Sequence, residues 1–139
     1  MQQNNYIQYA KPQLSFGEAV KKCFKTFTFK GRARRSEYWW FQVLASIYGF
    51  IMGFTSVLVS DGGYNTDAYF ASIVIFMLVG LVLWVPGICV TVRRLHDIGK
   101  SGWWYWINVI PYVGAIILLV LLVKDSQIEE NEYGPSPKY

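Results

Sequence analysis

A single histidine, a few carboxylates and a set of arginines carry most of the chemistry available to this chain, and they gather in two short stretches. The first, Phe29 to Trp40, holds Arg32, Arg34, Arg35 and Glu37. The second, Arg93 to Trp104, holds Arg93, Arg94, His96 and Asp97. Guanidinium groups fork onto phosphate or carboxylate oxygens in bidentate fashion. Arg32, Arg35, Arg93 and Arg94 are therefore candidates for anionic lipid headgroups or for an acidic segment of a partner protein. His96 could act as an acid or base on a lipid phosphate clamped by those arginines. No nucleophile stands at a readable spacing from it, however, so no catalytic residue is assigned. Adjacent helical residues do not face each other, so Asp97 need not be the partner of His96. The reading preferred is an interfacial polar network of Glu37, His96 and Asp97 with the arginines, clamping the elements together. A carboxylate such as Glu37 at the start of an apolar helix is costly unless paired, and Arg34, Arg93 and Arg94 are its obvious partners.

The elements that must position these groups follow from the charge distribution. Eight of the thirteen Lys and Arg residues precede Trp39, and three more lie between Arg93 and Lys100. From Trp39 to Val92 there is no basic residue, and only Asp61 and Asp67 are acidic. Charged residues make up 16% of the chain and hydrophobic ones 53%, against roughly 25% charged in a soluble domain. This is the pattern of a small multi-pass membrane protein with its basic segments, including the N-terminus, in the cytoplasm. The two cysteines, Cys23 and Cys89, lack a CxxC partner or a histidine at ligand spacing. Neither a disulfide framework nor a metal site is expected, and no cofactor is indicated.

The fold class expected is all-α and membrane-embedded, in one domain. A polar tail (1–14) leads into an amphipathic interfacial helix (15–29), then three apolar spans (38–59, 69–92 and 103–123) and a C-terminal tail (124–139). Each span is close to the roughly 20 residues that cross about 30 Å of hydrocarbon. The Gly- and Asx-rich loop Ser60 to Asp67 reads as an external turn. Pro111 falls in the middle of the third span, with Gly114 just beyond it. That span is either a Pro-kinked crossing helix or a re-entrant hairpin, and the side of the C-terminus depends on which.

Ser15 and Glu18 form an S-x-x-E capping box. Phe16, Ala19, Val20, Cys23, Phe24 and Phe27 follow as one helical stripe, with Lys21, Lys22 and Lys25 on the remainder. Such a helix suits the membrane interface. In the first span Ala45, Gly49 and Gly53 recur at every fourth position, a small-residue face for packing on another span or on a second copy.

Two motif groups give a resemblance. Phe29, Gly31, Arg32, Arg35, Glu37, Tyr38 and Trp39 fit F-x-G-R-x-x-R-x-E-Y-W. Arg93 to Asp97 with Gly102 to Trp104 fit R-R-L-H-D followed by G-W-W. With Ile110, Pro111, Val113 and Gly114, and a tail like N-x-[FY]-G-x-x-P from Asn131, the chain resembles a bacterial inner-membrane family catalogued as domain of unknown function 805. The resemblance implies a small helical protein of several spans in the bacterial cytoplasmic membrane and supplies no activity. An ordered tail of this kind would dock somewhere, and the arginine cluster is an attractive place.

Three function classes follow. The leading one is a non-enzymatic module that binds anionic headgroups or a partner protein. A small oligomeric transporter or channel subunit is the second, and a membrane enzyme using His96 on a lipid phosphate is the third. Nucleic acid is not expected as a partner, because the cations lie where phospholipid phosphates already are and no nucleic-acid motif is present.

Overall fold

The computed structural model describes residues 10–60 and 66–139. Its elements are α1 (Phe16–Lys25), α2 (Arg35–Ser60), α3 (Thr66–Asp97), a 3-10 helix (Gly102–Val109) and α4 (Val113–Val123). Among the described residues there is no strand, only an isolated bridge between Asn131 and Gly134. The turn expected from Ser60 to Asp67 lies largely outside the described residues, as does most of the polar tail.

The capping box forms as expected. The Ser15 hydroxyl accepts from the Glu18 amide at 3.4 Å, and the Glu18 carboxylate accepts from the Ser15 amide at 2.9 Å. The helix ends at Lys25, short of the expected 29, so Phe27 falls beyond it. α1 buries Ala19 and Cys23 and touches α2 through two ring pairs, Phe16 on Trp40 and Phe24 on Phe41. Gly31 then turns the chain at a φ of 83°, a conformation open to a residue without Cβ.

α2 and α3 are long and apolar enough to cross a membrane. Most of their large apolar side chains face outward, as Phe50 does at 75% exposure and Met77 at 67%. They meet through glycines of α3. A Cβ at Gly80 would lie 3.1 Å from the Tyr48 hydroxyl oxygen, and one at Gly87 would lie 3.3 Å from the Phe41 ring. The Tyr48 hydroxyl donates to the Phe76 carbonyl. A Cβ at Gly49 or Gly53 would meet nothing within 4 Å among the described residues, so neither glycine is in close contact there. Ala45 lines the space between α2 and α3.

The third apolar segment is not one continuous helix. Pro111 disfavours helical backbone at the residue before it, and Ile110 is extended (φ −80°, ψ 112°). Tyr112 takes a φ of 60°, and α4 starts at Val113. Gly114 has no side chain, which lets α4 lie against the 3-10 helix: a Cβ there would land on the Ile107 carbonyl. α4 buries Leu118, Leu121 and Leu122 in a core shared with Phe41, Val90 and Leu95.

Candidate functional site

The ends of α2 and α3 that carry the arginines meet α1, the C-terminal end of α4 and the tail in one buried polar assembly. Asp97, the last residue of α3, is fully buried. One oxygen accepts from Arg32 Nε at 3.0 Å. The other accepts from Arg94 Nη1 and from the Ser126 hydroxyl. Arg94 and Asp97 stand at i and i+3, the spacing at which helical side chains meet.

Arg32 has no idle donor. Besides Asp97, it donates to the carbonyls of Glu129 (2.9 Å), Gly134 (3.1 Å), Asp97 (3.2 Å) and Gln127 (2.6 Å), which accounts for all five of its N–H groups. Arg94 donates to the carbonyls of Leu122 (3.2 Å) and Lys124. It thereby satisfies carbonyls that the end of α4 leaves without helical partners and complements that helix's dipole.

Glu37 is a second buried carboxylate, also at 0% exposure. Arg93 Nη1 lies 2.7 Å from one oxygen and Lys22 Nζ 2.7 Å from the other. Of the three partners foreseen for it, Arg93 is the one found. Arg94 goes to Asp97, and Arg34 donates to the carbonyls of Pro12 (2.6 Å) and Lys11 (3.2 Å). Lys22 was not foreseen; its position in the polar sector of α1 was the available signal. Cys23 lies beside this pair, and burial, then the Glu37 carboxylate, push its thiol up to about 12.

His96 points away from Asp97, as adjacent helical residues must. Its Nδ1 lies 3.2 Å from the Gly31 carbonyl, and its ring stacks on Tyr133 with centroids 3.8 Å apart. Asn131 donates to the His96 carbonyl at 2.9 Å, and the Gln127 amide donates to that of Asp97 at 3.2 Å. The tail thus docks on the arginine cluster. Its Asn131, Tyr133 and Gly134, known beforehand only as a motif, are working parts of the assembly.

The structure therefore turns Arg32, Arg93 and Arg94 inward, at 7%, 2% and 0% exposure, and leaves Arg35 outside. Arg35 lines a cavity of about 360 Å³ at the start of α2, together with Arg34, Ser36, Trp39, Trp40 and Lys138. The Ser36 hydroxyl is buried and has no partner. Asp125 and Ser126 complete the wall. Lys138 Nζ lies 2.6 Å from Asp125 and holds that carboxyl below its usual 3.8. Sequence reasoning missed Arg34, Ser36 and Lys138 as members of one site, because they come together only when the tail returns to α2.

Comparison with known proteins agrees with the motifs. The model of a family described as "Protein of unknown function (DUF805)" matches residues 26–135. The chain is similar to the Inner membrane protein YhaH of Escherichia coli (strain K12), 33% identical over 110 residues, covering 79% of this chain and 87% of that one. It is likewise similar to the Inner membrane protein YhaI of the same strain, 32% identical over 111 residues, covering 80% and 86%. No solved structure matches.

Proposed function

The chain belongs to the DUF805 family, and from that premise we propose that it is a non-enzymatic module of the bacterial inner membrane that seats an anionic lipid headgroup at its cytoplasmic face. The observation that carries this reading is the cavity at the start of α2. Arg35 and Lys138 line it with Ser36, whose hydroxyl has no partner, with Trp39 and Trp40, and with Arg34, which also donates to the Pro12 and Lys11 carbonyls. Cations and hydroxyls together suit a phosphate ester, and tryptophans are the side chains of the headgroup level. Arg32 and Arg94 have their guanidiniums occupied by the protein's own acceptors and hold the seat's walls together instead.

In this reading α2 and α3 cross the bilayer and α1 lies in the interface. The basic residues before Trp39 and between Arg93 and Lys100 put both of those segments in the cytoplasm. The tail contacts Arg32, so it belongs on the same side. The segment from Trp103 to Val123 then enters and returns. Consistent with this, the eleven residues of α4 are about 16 Å long, too short for about 30 Å of hydrocarbon. Broken backbone at that depth is tolerated where protein buries it.

The test is native mass spectrometry from vesicles containing phosphatidylglycerol and phosphatidylcholine. The wild-type chain retains phosphatidylglycerol, and Arg35→Gln with Lys138→Gln lowers that retention about tenfold. Equal retention by the double variant would sink the headgroup assignment. Labelling of cysteines introduced at the two termini tests the topology: both should react from the cytoplasmic side.

A further inference from the structure

A second cavity, of about 760 Å³, opens between α3 and the 3-10 helix. It lies in the size range of sites for small organic ligands. Trp84, Ile88, Val92 and His96 form one wall. They recur at every fourth position and so share a face of α3, a stripe roughly 18 Å long at 1.5 Å per residue. The stripe is apolar for three positions and ends in the only histidine. Trp103 and Trp106 of the 3-10 helix stand opposite. No Asp, Glu, Lys or Arg lines the cavity, unlike the headgroup seat, so nothing in it complements a charged ligand.

The polar end is specific. A carbonyl oxygen only accepts, so the contact with Gly31 requires the proton on His96 Nδ1. In the neutral ring Nε2 is then an acceptor, and it has no partner among the described residues. His96 as a residue is 8% exposed, and it lines the cavity, through which this lone pair can be reached. Gly102 keeps it open: a Cβ there would stand 3.4 Å from Nε2 and would collide with Val92 at 2.7 Å. The ring's structural duties use its Nδ1 and its face on Tyr133, and neither uses Nε2.

We propose that this cavity binds a membrane-soluble quinol, an uncharged aromatic head with a hydroxyl donating to His96 Nε2 and an apolar tail along Val92, Ile88 and Trp84. The uncharged lining matches a neutral head. The tryptophan walls offer flat faces for a ring. The unpartnered acceptor favours a donor, so the reduced, hydroxyl-bearing form binds more tightly than the oxidised form, which presents only carbonyl oxygens.

The experiment uses the full chain in nanodiscs of zwitterionic lipid, under argon at pH about 7.5, above the ordinary histidine value of about 6.5. An alkyl-chain benzoquinol, its benzoquinone and hexadecanol are compared as probes by native mass spectrometry. The chain retains one quinol and at least tenfold less quinone or hexadecanol. His96→Phe abolishes the preference for quinol. Should that variant fold poorly, Val109→Trp decides, because Val109 lines the cavity at 71% exposure and takes no part in the polar assembly; it lowers quinol retention about tenfold with an unchanged melting temperature. Arg35→Gln with Lys138→Gln leaves quinol retention as in wild type, whether or not anionic lipid binds. Equal retention of quinol and quinone, hexadecanol held as well as quinol, or wild-type retention by a folded Val109→Trp chain would each overturn the proposal.

Discussion

The two ends of α2 and α3 follow opposite rules. Where they meet α1, α4 and the tail, ionic side chains are buried beside an apolar core: Glu37, Arg94 and Asp97 are each at 0% exposure. Toward the other end the exposed ones are apolar, with Phe54 at 57% and Phe70 at 63%. In lipid, outward apolar groups cost nothing and give helices no reason to associate. The elements are then held together mainly where the polar groups are. Each buried carboxylate has two cationic partners, and for each at least one comes from a distant segment, Arg32 for Asp97 and Arg93 for Glu37. Stability should accordingly be concentrated at the ionic end and almost absent from the apolar surface.

The strongest way to break this comparison is Asp97→Ala. It leaves Arg32 and Arg94 buried without their carboxylate, and removing one partner of a buried ion pair costs about 3–5 kcal/mol. Thermal unfolding in mild detergent should show this as a large fall in melting temperature. A fall no larger than that of a surface variant would deny the ionic end its role. Arg32→Lys is the next test. Lysine keeps the charge but cannot reach the four carbonyls as a planar fork, and lost hydrogen bonds to a charged group cost about 1.5–3 kcal/mol. Proteolysis confined to residues after Lys124 would show that the tail has come free.

On the apolar side, Gly49→Leu should change monomer stability by no more than about 0.5 kcal/mol, since a Cβ there meets nothing. If the same variant shifts an oligomer in native mass spectra, the open Gly49 and Gly53 face serves a second copy. The smallest effect concerns pH. Asp125 is held below its usual 3.8, first by its hydrogen bond to Lys138, so its contribution is present above that value and is lost as pH falls through the depressed one. Lys138→Gln should lower the melting temperature slightly and by a constant amount between pH 5 and 7, and its gap to wild type should narrow in more acid solution as Asp125 takes up its proton. A pH-dependent gap at pH 6 would place another group in the contact.

Much of the architecture was legible in the residues. The capping box at Ser15, the positive φ at Gly31 and two long apolar helices are set by near neighbours along the chain. Pro111 marked a break, because it acts on Ile110 directly. It did not say whether the chain would carry on across or turn back. Gly114 shows only that α4 and the 3-10 helix pack closely, since a side chain there would meet the Ile107 carbonyl. Likewise, Glu37 had to be paired, but three arginines were equally eligible on paper.

The sequence by itself determined that the chain is helical, that two helices suit a membrane, and that its charged groups had to satisfy one another at one end. Helix periodicity, caps and the cost of an unpaired charge are properties of a residue and its near neighbours. Only the tertiary structure decided which cation meets which carboxylate, that the tail closes over Arg32, and that His96 keeps Nε2 free. The partners of Arg32 lie 65 to 102 residues away. Choosing among chemically equivalent guanidiniums depends on hydrogen-bond distances that exist only after those distant segments have packed.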